Sequence, residues 1–312
     1  MSEIIRELMV ATGLTETQIR RIVHNAPDRY KTYKIPKRNG TLRTISQPAK
    51  EVKLLQRALS DVLLSGLSVH PSAMAYRKGL SIRDNAKVHK DNGPIIKMDL
   101  LDFFPSIKKS DWVKYCNETK CLNNYEDIEI TSNLLFHRPR GSRVLRLAIG
   151  APSSPILSNA LMFKFDCEVT QALASGRVVY TRYADDLTFS APRTGYLHGV
   201  IQLVVKIARR LEYPHIQINN GKTVYVTKKY RRVVTGLTLS NEGDITIGRH
   251  RKRQIHAAVH RAAIQEISDD EMQRLCGILA YVNAVEPDFI DTLRRKYGGN
   301  IISKIQSSVV RS

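Results

Sequence analysis

The sequence predicts an α+β fold, and three observations predict it. Several segments repeat apolar residues at helical spacing, as Leu54, Leu55, Ala58, Leu59, Val62 and Leu63 do within EVKLLQRALSDVLLSGL (51–67). Other stretches are short and β-rich, among them GPIIKMDLLDFF (93–104) and RVVYTRYADDLTFSAP (177–192). The two kinds are interleaved without a regular strand–helix–strand repeat, which favours a mixed architecture over a doubly wound parallel sheet.

Taken in order, the first 30 residues read as helical, with Thr15 as a cap and Gln18 as its reciprocal partner three residues on. YKTYKIPKRNGTLRTISQP then alternates as a β-hairpin about the turn Asn39-Gly40. The helix over 51–67 follows, and 93–104 reads as a buried strand that ends in acids. Residues 111–136 are predicted helical, and SPILSNALMFKFDCEVTQAL (154–173) is a long helix with Pro155 in its first turn. Two short strands about a tight acidic turn account for 177–192, and HGVIQLVVKIARRLEY (198–213) is an amphipathic helix. Short strands fill 224–248, and about 250–305 is helical.

With 312 residues and 42% hydrophobic content, the chain can bury a sizeable core. That length suggests two domains, or one with subdomains, although no Pro/Gly/Ser-rich linker divides it. The start carries Glu3, Arg6 and Glu7 and lacks a long apolar run, and no stretch approaches about 18 uncharged apolar residues. The expectation is a chain with no membrane partner. Cys116, Cys121, Cys167 and Cys276 form no CxxC pair, which fits free thiols in a reducing cytosol.

Charge is more specific. Lys and Arg total 49 against 29 acidic residues, a net +20, and such an excess points to a polyanion such as nucleic acid. The cations cluster in KIPKRNGTLR (34–43), HRPRGSRVLR (137–146), KKYRR (228–232), GRHRKR (248–253) and LRRKYG (293–298), where dispersed acids do not balance them.

Against that basic background stands an acidic constellation. Asp185 and Asp186 sit together between apolar β-rich flanks, where like charges at a tight turn repel and raise each other's pKa. A divalent cation relieves that cost, and Mg²⁺ favours carboxylate and water oxygens while leaving positions for substrate phosphates. A second acidic strand end supplies Asp99; carboxylates on neighbouring strands would hold two ions about 3.5–4 Å apart. Alone, a Tyr-x-Asp-Asp tetrapeptide arises by chance in roughly a few of every hundred chains. It is as compatible with an acidic turn as with a site, so Asp99 and the basic surroundings carry the functional reading.

KMDLLDFFPSI, IGAPSSP and YTRYADD, in that order, resemble motifs A, B and C of the reverse transcriptases. KIPKRNGTLRTI resembles the fingers motif and INNGKT (218–223) resembles motif D. NAKVH (85–89) and VTG (234–236) resemble elements of the bacterial retron reverse transcriptases. The resemblance covers nearly the whole chain. It implies a right-hand polymerase with fingers, palm and thumb: residues 1–92 as N-terminal helices and fingers, 93–240 as palm with a fingers insertion around 110–150, and 241–312 as thumb. It also implies an RNA-directed DNA polymerase that uses two Mg²⁺ ions and deoxyribonucleoside triphosphates. Its partner would be a cognate structured non-coding RNA, part of which is copied into DNA that stays joined to RNA. Systems of this kind are associated with anti-phage defence beside a separate effector protein.

Residue by residue, the resemblance makes Asp99, Asp185 and Asp186 the catalytic metal ligands. Arg43 matches the arginine that clasps the triphosphate through its bidentate fork, with Lys37 beside it. Phe104 stands where an aromatic excludes a 2′-hydroxyl, while Phe103 reads as core. Ala151 belongs to the motif B loop of small residues that admit substrate close to the backbone. The chain departs from the family at Ile149, where glutamine is usual. Lys222 stands at the motif D lysine, a general acid for pyrophosphate, and equally fits a strand-edge lysine. Asn85 and His89 of NAKVH, together with Arg251, Arg253, His256 and His260, are the expected RNA contacts. The last three follow i, i+3 and i+7 spacing opposite an apolar face of Ile255, Ala258, Val259 and Ala262. Two other readings compete: another bacterial reverse transcriptase type, and a non-catalytic RNA-binding module with a polymerase fold.

Overall fold

The computed structural model describes residues 2–37, 40–174 and 176–308. In chain order its elements are helices α1 (Glu3–Thr12) and α2 (Glu16–Asn25), strands β1 (Tyr30–Pro36) and β2 (Leu42–Pro48), helices α3 (Lys50–Val62) and α4 (Ile82–His89), and strand β3 (Ile95–Asp99). Five helices follow: α5 (Phe103–Ser106), α6 (Lys109–Thr119), α7 (Tyr125–Leu135), α8 (Ser154–Leu161) and α9 (Phe163–Leu173). Strands β4 (Val179–Tyr183) and β5 (Asp186–Ser190), helix α10 (Val200–Arg210) and strands β6 (Val224–Val226), β7 (Arg232–Val234), β8 (Leu237–Leu239) and β9 (Ile245–Thr246) come next. The chain closes on α11 (Arg249–Ala263), α12 (Asp269–Val285), α13 (Pro287–Tyr297) and α14 (Gly299–Ser307).

These elements fall into two units: residues up to Leu80 with Ile96–Tyr225, and Ser81–Ile95 with residues from Val226 on. The first unit holds a four-stranded sheet of order β4-β5-β3-β6 and the separate β1-β2 hairpin. Its core joins Ile96 and Met98 of β3 and Leu187 and Phe189 of β5 to Leu157, Leu161 and Phe165 of α8 and α9. The second unit packs α4 and the β7-β8-β9 sheet with α11 to α14, through Ala86, Val234, Leu237, Ile255, Val259, Leu279 and Ile290. The expected division at 92/93 and 240/241 therefore differs from these units. Residues 81–95 go with the second unit because Ala86 and Ile95 are buried among β7 and β8 side chains.

Local signals have local outcomes. Thr15 and Gln18 form the reciprocal cap of α2, each accepting from the other's backbone N–H. The β1-β2 hairpin pairs Ile35 with Arg43 and Pro36 with Leu42. Of its expected turn, Gly40 takes a positive φ of 79°, and Asn39 lies outside the described residues. In α3 the buried stripe is Leu55, Ala58 and Leu59, whereas Leu54 and Val62 are exposed. The single helix expected over 154–173 is α8 and α9, meeting at Met162, whose φ of −82° and ψ of −2° stay near helical. The strand expected over 93–104 stops at Asp99; Asp102 turns left-handed (φ 45°) and starts α5. No helix among the described residues is long and apolar enough to cross a membrane.

Candidate polymerase active site

Asp99 ends β3, and Asp185 and Asp186 occupy the adjacent β4-β5 hairpin, where Tyr183 pairs with Asp186. Backbone bonds tie the ends together: Leu100 N donates to Asp185 O at 2.9 Å, and Asn219 N donates to Asp99 O at 2.7 Å. Ala184, the first central residue of the hairpin turn, has φ 58°, a left-handed conformation that alanine adopts only under constraint. Burial raises the pKa of both Asp185 and Asp186. The charge of Asp99 raises both further, as does that of Asp185 on Asp186, while Lys222 and Arg43 pull Asp185 back down.

Asp99 is only 8% exposed and is met by a cation of the chain itself. Lys222 Nζ lies 2.9 Å from its Oδ1 and 3.0 Å from its Oδ2, and Asn219 Nδ2 donates to Oδ1 at 3.3 Å. The bond to Asp99 holds the Lys222 ammonium above its ordinary pKa. Among the described residues no three His, Cys, Asp or Glu side chains form a closed ligand cluster. By chemistry, Asp99 beside two carboxylates that burial and neighbouring negative charge disfavour as anions, Asp185 and Asp186, makes a donor set that suits a hard divalent cation.

Around these acids stand the other expected residues of this unit. Arg43 is exposed on β2, close enough for its charge to lower the pKa of Asp185 and of Tyr76. Lys37 is exposed at the hairpin end, where its N–H donates to Thr41 O at 2.6 Å. Phe104, the second residue of α5, is half-buried, 5.3 Å between ring centroids from Phe103, which is the buried one of the pair. Ala151 is buried in a loop fastened to β2: Ser46 N donates to Ile149 O at 2.8 Å. A Cβ at Gly150 (φ 123°) would meet Ile45 Cγ2 and Ser46 O at 3.0 Å, so this approach requires glycine. Ile149 is half-buried beside it.

Sequence reasoning missed Tyr76. It is 46% exposed, has φ 60°, and its ring lies 6.3 Å from that of Phe104. Partial burial and the Asp185 charge raise the pKa of its hydroxyl. An aromatic in AYRKG carried no periodic signal; only the fold brings it to Phe104 and Asp185.

In the second unit the expected RNA contacts separate. Asn85 and His89 are both 0% exposed on the inner face of α4, so the expectation that they touch RNA is corrected: helical geometry turns them inward and leaves Arg83 and Lys87 outward. Burial holds His89 down to about 4, hence neutral. Thr235 of VTG donates through Oγ1 to Ile82 O at 3.0 Å, tying VTG to the first residue of α4, the helix that carries NAKVH. On α11, Ile255, Val259 and Ala262 are buried, while Arg251, Arg253 and His260 are exposed. His256 departs from that basic face. Its ring packs 5.3 Å from Phe289 and 5.9 Å from Tyr297, and burial lowers its pKa, so it is a packing group.

Residues 35–243 match the family described as reverse transcriptase (RNA-dependent DNA polymerase). Retron Ec83 reverse transcriptase of Escherichia coli is 37% identical over 89% of this chain and 89% of its own length. Retron Ec73 reverse transcriptase of Escherichia coli is 30% identical over 88% and 89% of the two chains. Retron Ec86 reverse transcriptase, from the same species, is 28% identical over 97% and 93%. Fold, match and site together define an RNA-directed DNA polymerase of right-hand architecture. The chain belongs to the bacterial retron reverse transcriptases.

Proposed function

We propose that this polymerase copies part of a cognate structured RNA into single-stranded DNA that remains joined to RNA. The reaction is phosphoryl transfer at Asp99, Asp185 and Asp186. The observation that carries the proposal is the backbone-linked convergence of these carboxylates at the ends of β3 and the β4-β5 hairpin, with the anionic forms of Asp185 and Asp186 disfavoured. Two Mg²⁺ ions, when bound, would supply neutralisation of the phosphates and acidification of the primer hydroxyl.

The chain's own residues do the rest. Arg43, with Lys37, binds the triphosphate. Phe104 and Tyr76 face the nucleotide sugar and discriminate against a 2′-hydroxyl. Ala151 lets substrate approach the loop backbone. Lys222, kept protonated by Asp99, exchanges that carboxylate for the departing pyrophosphate and gives it a proton. Arg83, Lys87, Arg251, Arg253 and His260 meet RNA phosphates. The system acts in bacterial cytoplasm in anti-phage defence, with a separate effector protein.

Sequencing the nucleic acid that co-purifies with the protein tests this reading. A DNA strand covalently attached to RNA is the expected species, and free DNA extended from ordinary primers would overturn it.

A further inference from the structure

Beneath the catalytic hairpin lies a fully buried polar network. Arg182 is 0% exposed, two residues before Ala184. Its guanidinium forks onto Asp166, with Nε 2.9 Å from Oδ1 and Nη2 2.7 Å from Oδ2. Tyr180 donates its hydroxyl to the same Oδ1 at 2.8 Å. Burial opposes the charge on Arg182, but the Asp166 carboxylate holds its pKa above the ordinary value. An ion pair would need only those bonds. Nη1 makes two more, to Asn159 Oδ1 at 3.1 Å and to Ala184 O at 3.3 Å. Asn159 in turn donates Nδ2 to Ala75 O at 2.8 Å. The backbone of Arg182 also pairs with the 72–74 segment: its N–H donates to Ser72 O at 2.7 Å, and Met74 N donates to its carbonyl at 2.8 Å.

The two ends of this network are specific. Ala184 (φ 58°) and Tyr76 (φ 60°) are left-handed non-glycine residues, and each is held at its own or its neighbour's carbonyl. Such backbone persists only where its surroundings over-determine it. One end carries Asp185; the other carries the aromatic that faces Phe104.

We propose that Arg182, acting through Asn159 and braced by Asp166, is a positioning residue that fixes the catalytic turn and Tyr76 relative to each other. The proposal rests on the assignment of Asp185 to the site. Arg182 touches no substrate; it sets where Asp185 and Tyr76 stand. Displacement of a catalytic group by about 1 Å costs up to roughly 10²-fold in rate.

Arg182→Ala would leave the buried Asp166 without its counter-ion and is expected to unfold the chain. The informative variants are Arg182→Lys, which keeps the charge and loses the fork, and Asn159→Ala, which is neutral. Steady-state primer extension, with thermal melting as a check on folding, reads them. Folded Arg182→Lys should lose about tenfold or more in kcat. Ala184→Gly in the same chain should restore part of it, because glycine takes positive φ unaided. Asn159→Ala should raise the KM for deoxyribonucleotide several-fold, with a smaller effect on kcat. If Arg182→Lys does not fold, Asn159→Ala decides alone. Folded variants with wild-type kcat and KM, or with only a lowered melting point, overturn the proposal. Asp185→Asn run in parallel separates the two assignments: activity retained there sinks the site itself, whereas activity lost there and kept in Asn159→Ala sinks only the clamp.

Discussion

Lys222 grips both carboxylate oxygens of Asp99, at 2.9 and 3.0 Å. The ammonium is 58% exposed at its side chain, so the pair sits at a wet edge where the lysine can leave. A divalent cation must compete with that ammonium for Asp99. Lys222→Ala should therefore bind Mg²⁺ at lower concentration and yet extend primers more slowly, by about 10²-fold if it is the proton donor. A Mg²⁺ titration of binding beside one of rate checks both. A tighter site with unchanged rate would make Lys222 a placeholder only.

Asp185→Asn or Asp186→Asn should bring extension below detection while RNA binding persists. Each change removes one carboxylate charge and leaves the basic residues in place. Binding measured by filter retention and extension measured on the same preparation separate the two. Near-normal extension by either variant would show that it is not a required ligand.

Phe104→Ala should raise incorporation of ribonucleotides relative to deoxyribonucleotides. Tyr76→Ala should add a rise in deoxyribonucleotide KM, and Tyr76→Phe should change little, since the ring lies against Phe104 and no hydroxyl bond is required. Competition between the two nucleotide classes on one template gives the ratio. An unchanged ratio in folded Phe104→Ala reduces that ring to packing.

These residues also mark what the sequence could convey. Asp99, Asp185, Asp186 and Phe104 stand in contiguous motifs, and the Thr15–Gln18 cap is set by neighbours three residues apart, so both were legible. Tyr76 and Arg182 were not. The importance of Arg182 arises from Asp166, Asn159 and Ala75, which lie 16, 23 and over a hundred residues away along the chain. Helical spacing alone put His256 beside Arg253; the ring turns instead toward Phe289, a partner on another helix that periodicity cannot supply. The same blindness applied to Asn85 and His89, whose motif was recognisable but whose burial depends on how α4 packs in the fold.

Acid should weaken the fold through buried histidines. Burial holds His89 and His137 down to about 4, against 6.5 for an unburied imidazole. Between those values the unfolded chain binds more protons than the folded one. Stability is thus complete above about pH 6.5 and falls as pH drops toward 4, by up to about 1.4 kcal/mol per pH unit for each histidine. His137→Gln should flatten the slope; the backbone pairing of position 137 with Arg146 survives the change. Urea unfolding at pH 7.5 and 5 in parent and variant isolates this contribution from Asp185 and Asp186, whose raised pKa values act in the opposite sense. Identical slopes would mean that His137 does not titrate on unfolding.

The exposed face of α11 carries Arg251, Arg253 and His260. Arg251 and Arg253 project from the first turns of the helix while Ile255 and Val259 anchor it in the core of its unit. The exposed Arg251 guanidinium lies 4.7 Å from the ring centroid of Tyr281, a cation–π contact. A-form RNA presents mostly phosphates and 2′-hydroxyls to such a face, so affinity there should depend on salt more than on sequence. Arg251→Ala with Arg253→Ala should weaken binding of the cognate RNA and reduce the slope of log K against log salt by roughly 0.7–0.9 for each phosphate no longer neutralised. Arg253→Ala alone should remove about half of that change without disturbing the stack on Tyr281. Extension of a short preformed primer–template should suffer less than copying of the cognate RNA, because the short duplex does not need the additional anchorage. Titrations at several salt concentrations decide it: an unchanged slope in the folded double variant means that this face does not touch the RNA backbone.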